Sequence, residues 1–158
     1  MSGMQNPLEM IKELLDQESV EYKLLEHDPV HTSQEAAQVR GGSPQTGAKS
    51  LLLKSEAGFL TVVLQGDARL DSKKVTKHLG VSRNPRFATP EEVQQQMGCQ
   101  VGACYPLAHL AGLRTIIDHP FTRQEYMSFN PGVHDKTITM PMGDYMELTR
   151  AEVAQVSQ

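Results

Sequence analysis

Lys49 opens the apolar stretch GAKSLLLK, directly after Gly47-Ala48. A lysine at a strand end can point into a cleft and hold an anionic or carbonyl group. The plainer alternative is a stem that snorkels along apolar neighbours to carry its charge to water. A second candidate is Gly102-Ala103-Cys104-Tyr105-Pro106. Glycine lets backbone N–H groups approach a ligand closely, and such groups stabilise the oxyanion formed when water attacks an ester. Surface turns produce the same G-x-x-x-P spacing. A third is the polar turn Phe129-Asn130-Pro131-Gly132-Val133-His134, placed to line a pocket mouth, although a hairpin turn explains it as well. Glu26-His27-Asp28-Pro29-Val30-His31 gathers histidines and carboxylates, and His134 or Asp135 could complete a metal site. The spacing is not H-E-x-x-H, and Pro29 breaks any helix that would align the ligands, so no metal is expected. Cys99 and Cys104 are spaced C-x4-C, which suits neither a zinc site nor a C-x-x-C redox motif. Two reduced thiols are the expectation, and Cys104 lacks a histidine partner by spacing. Nucleophile-elbow, P-loop and dinucleotide fingerprints are absent.

The net charge of -4 argues at first against a nucleic-acid partner. Its distribution argues the other way. Residues 69 to 86 hold Arg69, Lys73, Lys74, Lys77, Arg83 and Arg86 against Asp71 alone, on an otherwise acidic chain. One basic patch on an acidic body is the footprint of local phosphate contact; a solvated helix face that happens to be basic gives the same pattern. Lys73, Lys74 and Lys77 are the residues that helical spacing would bring together.

The elements that must position these residues are legible in turn. Asn6-Pro7 predicts a helix with Leu8, Ile11, Leu14 and Leu15 on one face. Tyr22–Leu25 reads as a strand, and the Thr32–Glu35 capping box predicts a helix ending at Gly41-Gly42. Ala48–Lys54 and Phe59–Leu64 read as strands joined at Glu56-Ala57-Gly58. Asp71 caps a helix closed by Gly80, and Thr89-Pro90 starts another that stops at Gly98. Thr115–Asp118, Tyr126–Phe129 and Thr137–Met140 are further strands, and helical patterns from Met142 and from Thr149 finish the chain. Strands and helices are intermixed, with many strands close enough to be antiparallel neighbours. This predicts an α/β (mixed α+β) fold: a central mixed, partly barrel-like β-sheet with surrounding helices.

At 158 residues the chain has the length of one domain, expected to span 1–158, and needs no disulfide or metal to fold. No apolar run approaches the ~18 residues of a membrane span, and the N-terminal residues show no secretory pattern. A cytoplasmic protein is expected.

Taken together and in this order, EHDPVHTSQEAA, GAKSLLLK, LDSKKVTKHLG, FATPEEVQQQMG, VGACYPL, TIID and FNPGVH resemble the YbaK/ProX editing-domain family, which also occurs inserted in bacterial prolyl-tRNA synthetases. The resemblance runs from residue 22 to about 148. It implies a trans-editing hydrolase that deacylates mischarged aminoacyl-tRNA by ester hydrolysis, without a cofactor. Aminoacyl-tRNA would be the partner, together with an aminoacyl-tRNA synthetase; membrane and DNA would not. It implies catalytic roles for Lys49 and Gly102, and substrate contacts from His27, Ser50, Pro106, Asn130, Gly132 and His134. Lys73, Lys74 and Lys77 would meet the tRNA. Leu25 and Asn130 stand where YbaK-like members commonly carry Tyr and Ser, so the amino acid removed stays open. The alternative function is a non-catalytic module that binds aminoacyl-tRNA or an amino acid and regulates a partner.

Overall fold

The computed structural model describes residues 6–27 and 47–158. Helix α1 (Pro7–Gln17) starts where Asn6 accepts the Leu8 N–H at 2.8 Å, and it buries Leu8, Ile11 and Leu15. Strand β1 (Lys23–Glu26) follows; the helix expected from Thr32 lies outside the described residues. Strands β2 (Ala48–Ser55) and β3 (Gly58–Gln65) form the expected hairpin. Helix α2 (Ser72–Leu79) is capped by Asp71 and closed by Gly80 in the left-handed conformation. The two-residue strand β4 (Arg86–Phe87) precedes α3 (Pro90–Met97), whose Thr89–Glu92 capping box is fully formed. Strands β5 (Arg114–Asp118), β6 (Tyr126–Phe129) and β7 (Lys136–Pro141) lead to α4 (Met142–Thr149) and β8 (Glu152–Ala154).

The mixed α+β architecture is as the sequence indicates. Where a central mixed, partly barrel-like sheet is expected, the described residues form two open sheets, one of order β1-β7-β6 and one, mixed, of order β4-β2-β3-β5-β8. Among the described residues an isolated bridge links Gly47 to Ser128, the two sheets share the main core, and neither closes on itself. The larger sheet is antiparallel across β4, β2 and β3 and parallel across β3, β5 and β8.

The final segment also departs from expectation. The helical pattern read from Thr149 is strand β8, because Arg150 turns left-handed (φ 50°) and ends α4. Glu152–Ala154 then pairs with Ile116–Asp118, and Glu152 binds Arg114 at 2.5 Å and His78 at 2.9 Å. This non-local pairing outweighs a weak local helical preference.

Strand alternation divides the core. Leu52 and Val63 face the main cluster with Leu15, Tyr105, Phe129, Ile138 and Tyr145. Leu53 and Leu64 face a second cluster with Val75 of α2, Ile116 and Val156. Among the described residues, no helix is long and apolar enough to cross a membrane.

Candidate active site

The period-two alternation of β2 decides where its polar side chains go. Ser50 lies on the face of Ala48 and Leu52, and its hydroxyl donates to the Tyr105 carbonyl at 3.4 Å. Lys49 lies on the other face, with Leu51 and Leu53, and its ammonium donates to the Ala68 carbonyl. Burial lowers the Lys49 pKa below its ordinary value; neighbouring Asp67 opposes that shift and Arg69 adds to it. The structure therefore brings Ser50 to the glycine loop, while it holds Lys49 on the α2 side of the larger sheet.

Three bonds from three elements fix the loop that carries Gly102. Ser50 of β2 donates to the Tyr105 carbonyl, the Tyr105 hydroxyl donates to the Met97 carbonyl at 2.9 Å, and Tyr145 of α4 donates to the Pro106 carbonyl at 2.8 Å. Tyr105, Pro106 and Tyr145 are all buried, so this end of the loop is rigidly seated. Gly102 is exposed at the other end and adopts φ +90°, where a side chain is strained. The Ala103 N–H is taken by the Gln100 carbonyl, and the Gly102 N–H is not among the loop's internal backbone bonds. A Cβ placed on Gly102 would lie 3.0 Å from Cε1 of His134. The imidazole thus fills the space a side chain would need, and Gly102 and His134 form one surface.

The turn from Asn130 to His134 joins β6 to β7. The Asn130 amide donates to the Lys136 carbonyl at 3.0 Å, which closes the turn. Gly132, at φ +86°, packs beneath Pro7 of α1 and Tyr105 of the loop. His27, just beyond β1, donates its backbone N–H to the Asp135 carbonyl at 2.9 Å, and its ring Nε2 lies 2.8 Å from the Thr137 hydroxyl. Ser50, Pro106, Gly102, Gly132 and His134 are thereby linked through the loop and the turn, and His27 and Asn130 attach to the following strand. Tyr145 belongs to the same assembly without a sequence signal of its own, while Pro7 and Tyr105, read as a helix start and as part of the glycine loop, are joined to the turn only by tertiary contact.

Of the other candidates, Cys99 and Cys104 are buried free thiols in the main core. Contact with Cys104 and burial push the Cys99 thiol up, and neither sulfur has a histidine partner among the described residues. Burial also depresses the imidazole of His109. The metal reading needed His31, which lies outside the described residues; within them, no three His, Cys, Asp or Glu side chains cluster as ligands.

The basic segment is partly spent on internal bonds. Lys74 donates to the Ser157 carbonyl at 2.8 Å, Arg83 binds Glu56 and Arg86 binds Glu92. Arg86 holds the Glu92 carboxyl down at about 2. Lys73 and Lys77 stand exposed one turn apart on α2, and Arg69 is exposed before it.

Comparison with known proteins gives this arrangement its context. The chain is 28% identical over 145 residues to the Escherichia coli K12 multifunctional Ser/Thr-tRNA deacylase ProXp-y, covering 89% of this chain and 86% of that protein. It is 24% identical to the prolyl-tRNA editing protein ProX of Acetoanaerobium sticklandii, with 87% of each chain covered. A proline–tRNA ligase of Thermotoga maritima matches 65% of this chain at 34% identity, within 18% of the ligase. A crystal structure described as a candidate trans-editing enzyme for prolyl-tRNA synthetase superposes with a TM-score of 0.85 at 25% identity, covering 99% of both chains. The family model described as the aminoacyl-tRNA editing domain matches residues 27–148, and the chain belongs to that family.

Proposed function

We propose that the chain is a trans-editing hydrolase that removes wrongly attached amino acids from tRNA. The observation that carries this reading is the exposed Gly102 backbone, seated against His134 on a loop braced by Ser50 and Tyr145. The relatives named as a Ser/Thr-tRNA deacylase and a prolyl-tRNA editing protein support it.

The chemistry follows from what the ester needs. Water adds to the carbonyl carbon that joins the amino acid to the terminal ribose, the bond from that carbon to the ribose oxygen breaks, and a proton from the water ends on the ribose oxygen, releasing free amino acid and uncharged tRNA. The Gly102 N–H receives the oxyanion, and the neighbouring ribose hydroxyl assists because it is held close to the reacting bond. An ester of this kind needs less activation than an amide, so a nucleophile–base pair is not required. His134 shapes the wall against which the carbonyl is placed, and Ser50, Pro106, Asn130 and His27 complete the surroundings. Lys49, on the face shared with Arg69 and α2, contacts a backbone phosphate of the bound tRNA away from the ester. Lys73 and Lys77 contact phosphates further along, which supplies affinity and carries no amino-acid choice. The whole chain acts as one editing unit in the cytoplasm, in partnership with the synthetase whose errors it removes.

The test is a deacylation screen against tRNA charged with Ala, Ser, Cys, Thr and Pro. Release of at least one amino acid, lost in Gly102→Val, is the expected result. Tight binding of aminoacyl-tRNA with no hydrolysis of any would favour the regulatory module instead.

A further inference from the structure

Helix α1 lies outside residues 27–148, the segment matched by the editing-domain family. Its N-terminus nonetheless reaches the candidate site. A Cβ placed on Gly132 would lie 2.7 Å from Cβ and 3.1 Å from Cγ of Pro7, and 3.7 Å from the Tyr105 ring. The proline ring therefore occupies the space of the missing side chain at Gly132. Two residues later, the His134 ring occupies the missing side chain of Gly102. Each glycine has positive φ, and each void is filled by a ring from a different element. Pro7 is itself held in place. Asn6 caps the helix, while Leu8, Ile11 and Leu15 bury their side chains in the main core.

We propose that Pro7 is a positioning residue of the active site: through Gly132 it clamps the Asn130–His134 turn and fixes the His134 ring against Gly102. The clamp rests on the deacylase reading for its effect on catalysis, but its geometry stands on its own. A turn between two strands has freedom to rock. Packing Gly132 against a rigid proline ring, with the Tyr105 ring close by, restricts that freedom. Small misplacement of groups around a reacting carbonyl is costly in turnover.

The test compares Pro7→Gly, which removes the wedge, with Leu15→Ala, which weakens the packing of α1 without touching the turn. Pro7→Gly should lower kcat on the order of tenfold with KM within about twofold. It should also shift the His134 ring resonances in an NMR spectrum of the full chain. Leu15→Ala should lower the melting temperature yet, assayed well below it, keep kcat within about twofold. Pro7→Ala, which retains Cβ, should fall between wild type and Pro7→Gly. Wild-type kcat with unmoved His134 resonances in Pro7→Gly would overturn the proposal. So would an equal loss of kcat in Leu15→Ala, which would make α1 a purely structural support. If the wild-type chain hydrolyses none of the charged tRNAs, the deacylase reading fails. The His134 resonances then still decide the clamp: a shift in Pro7→Gly supports it, and no shift refutes it.

Discussion

At the scale of single residues, Gly102 carries two requirements at once. Its φ of +90° strains any side chain, and the His134 ring leaves a Cβ only 3.0 Å of clearance. Gly102→Ala should therefore cost about 1–3 kcal/mol of stability from backbone strain. Assayed where it is still folded, it should lose at least about tenfold in turnover, equivalent to about 1.4 kcal/mol of transition-state stabilisation. A chemical denaturation curve and a single-turnover deacylation assay separate the two effects. Turnover that falls only with the folded fraction would reduce Gly102 to a turn glycine. Lys49 is a different case, since its ammonium rests on the Ala68 carbonyl, away from Ser50. Lys49→Ala should lower deacylation of full-length tRNA by about tenfold or more while folding survives. Burial lowers its pKa, so the cation is lost at a lower pH than for an exposed lysine. Affinity for tRNA should thus fall in the alkaline range in wild type and persist there in Lys49→Arg. Equal alkaline profiles for the two proteins would remove Lys49 from the binding role.

At the scale of elements, α2 shows how a charge run divides into structure and surface. Asp71 caps it, Val75 roots it in the second cluster, and Lys74 ties it to the Ser157 carbonyl. His78 reaches Glu152 of β8, which Arg114 also holds, so the Glu152 carboxyl is depressed to about 2. Lys73 and Lys77 remain exposed one turn apart. Replacing those two by Gln should weaken tRNA binding and reduce the salt slope by about 1.5–2, the share of two phosphate contacts. Hydrolysis of a short aminoacyl-nucleotide mimic should be nearly unchanged. An unaltered salt slope, measured by filter binding across a salt series, would show that tRNA docks elsewhere. Lys74→Gln belongs in a separate experiment, because it also removes a bond to the C-terminal segment.

At the scale of the whole molecule, the two sheets meet at Gly47 and Ser128, and the Gly102 loop is bonded from β2, α3 and α4. The site thus depends on the docking of distant elements more than on any one of them. No three-ligand cluster forms among the described residues. The mechanism proposed above routes no step through a metal, so deacylation should persist in EDTA; activity lost with chelator and restored by zinc would require a different mechanism.

What the sequence determined by itself was local. The Asn6 and Asp71 caps, the Thr89–Glu92 box and the Gly80 and Gly98 stops are decided within a few residues, and the helices begin and end there. The β2–β3 hairpin was equally legible, because its pattern and turn are contiguous. The motif order identified the family, since seven short segments in register carry more information than any one of them. Tertiary structure decided the rest. β8 exists because β5 offers a free edge and Arg114 a partner for Glu152, neither visible near Thr149. Strand alternation already separates Lys49 from Ser50, but only packing decides that the Ser50 face meets the Gly102 loop and the Lys49 face meets Ala68. The contacts of Pro7 with Gly132 and of His134 with Gly102 join residues far apart in the chain. Nothing local constrains such pairs; only the packing of α1, the loop and the turn around one core brings them together.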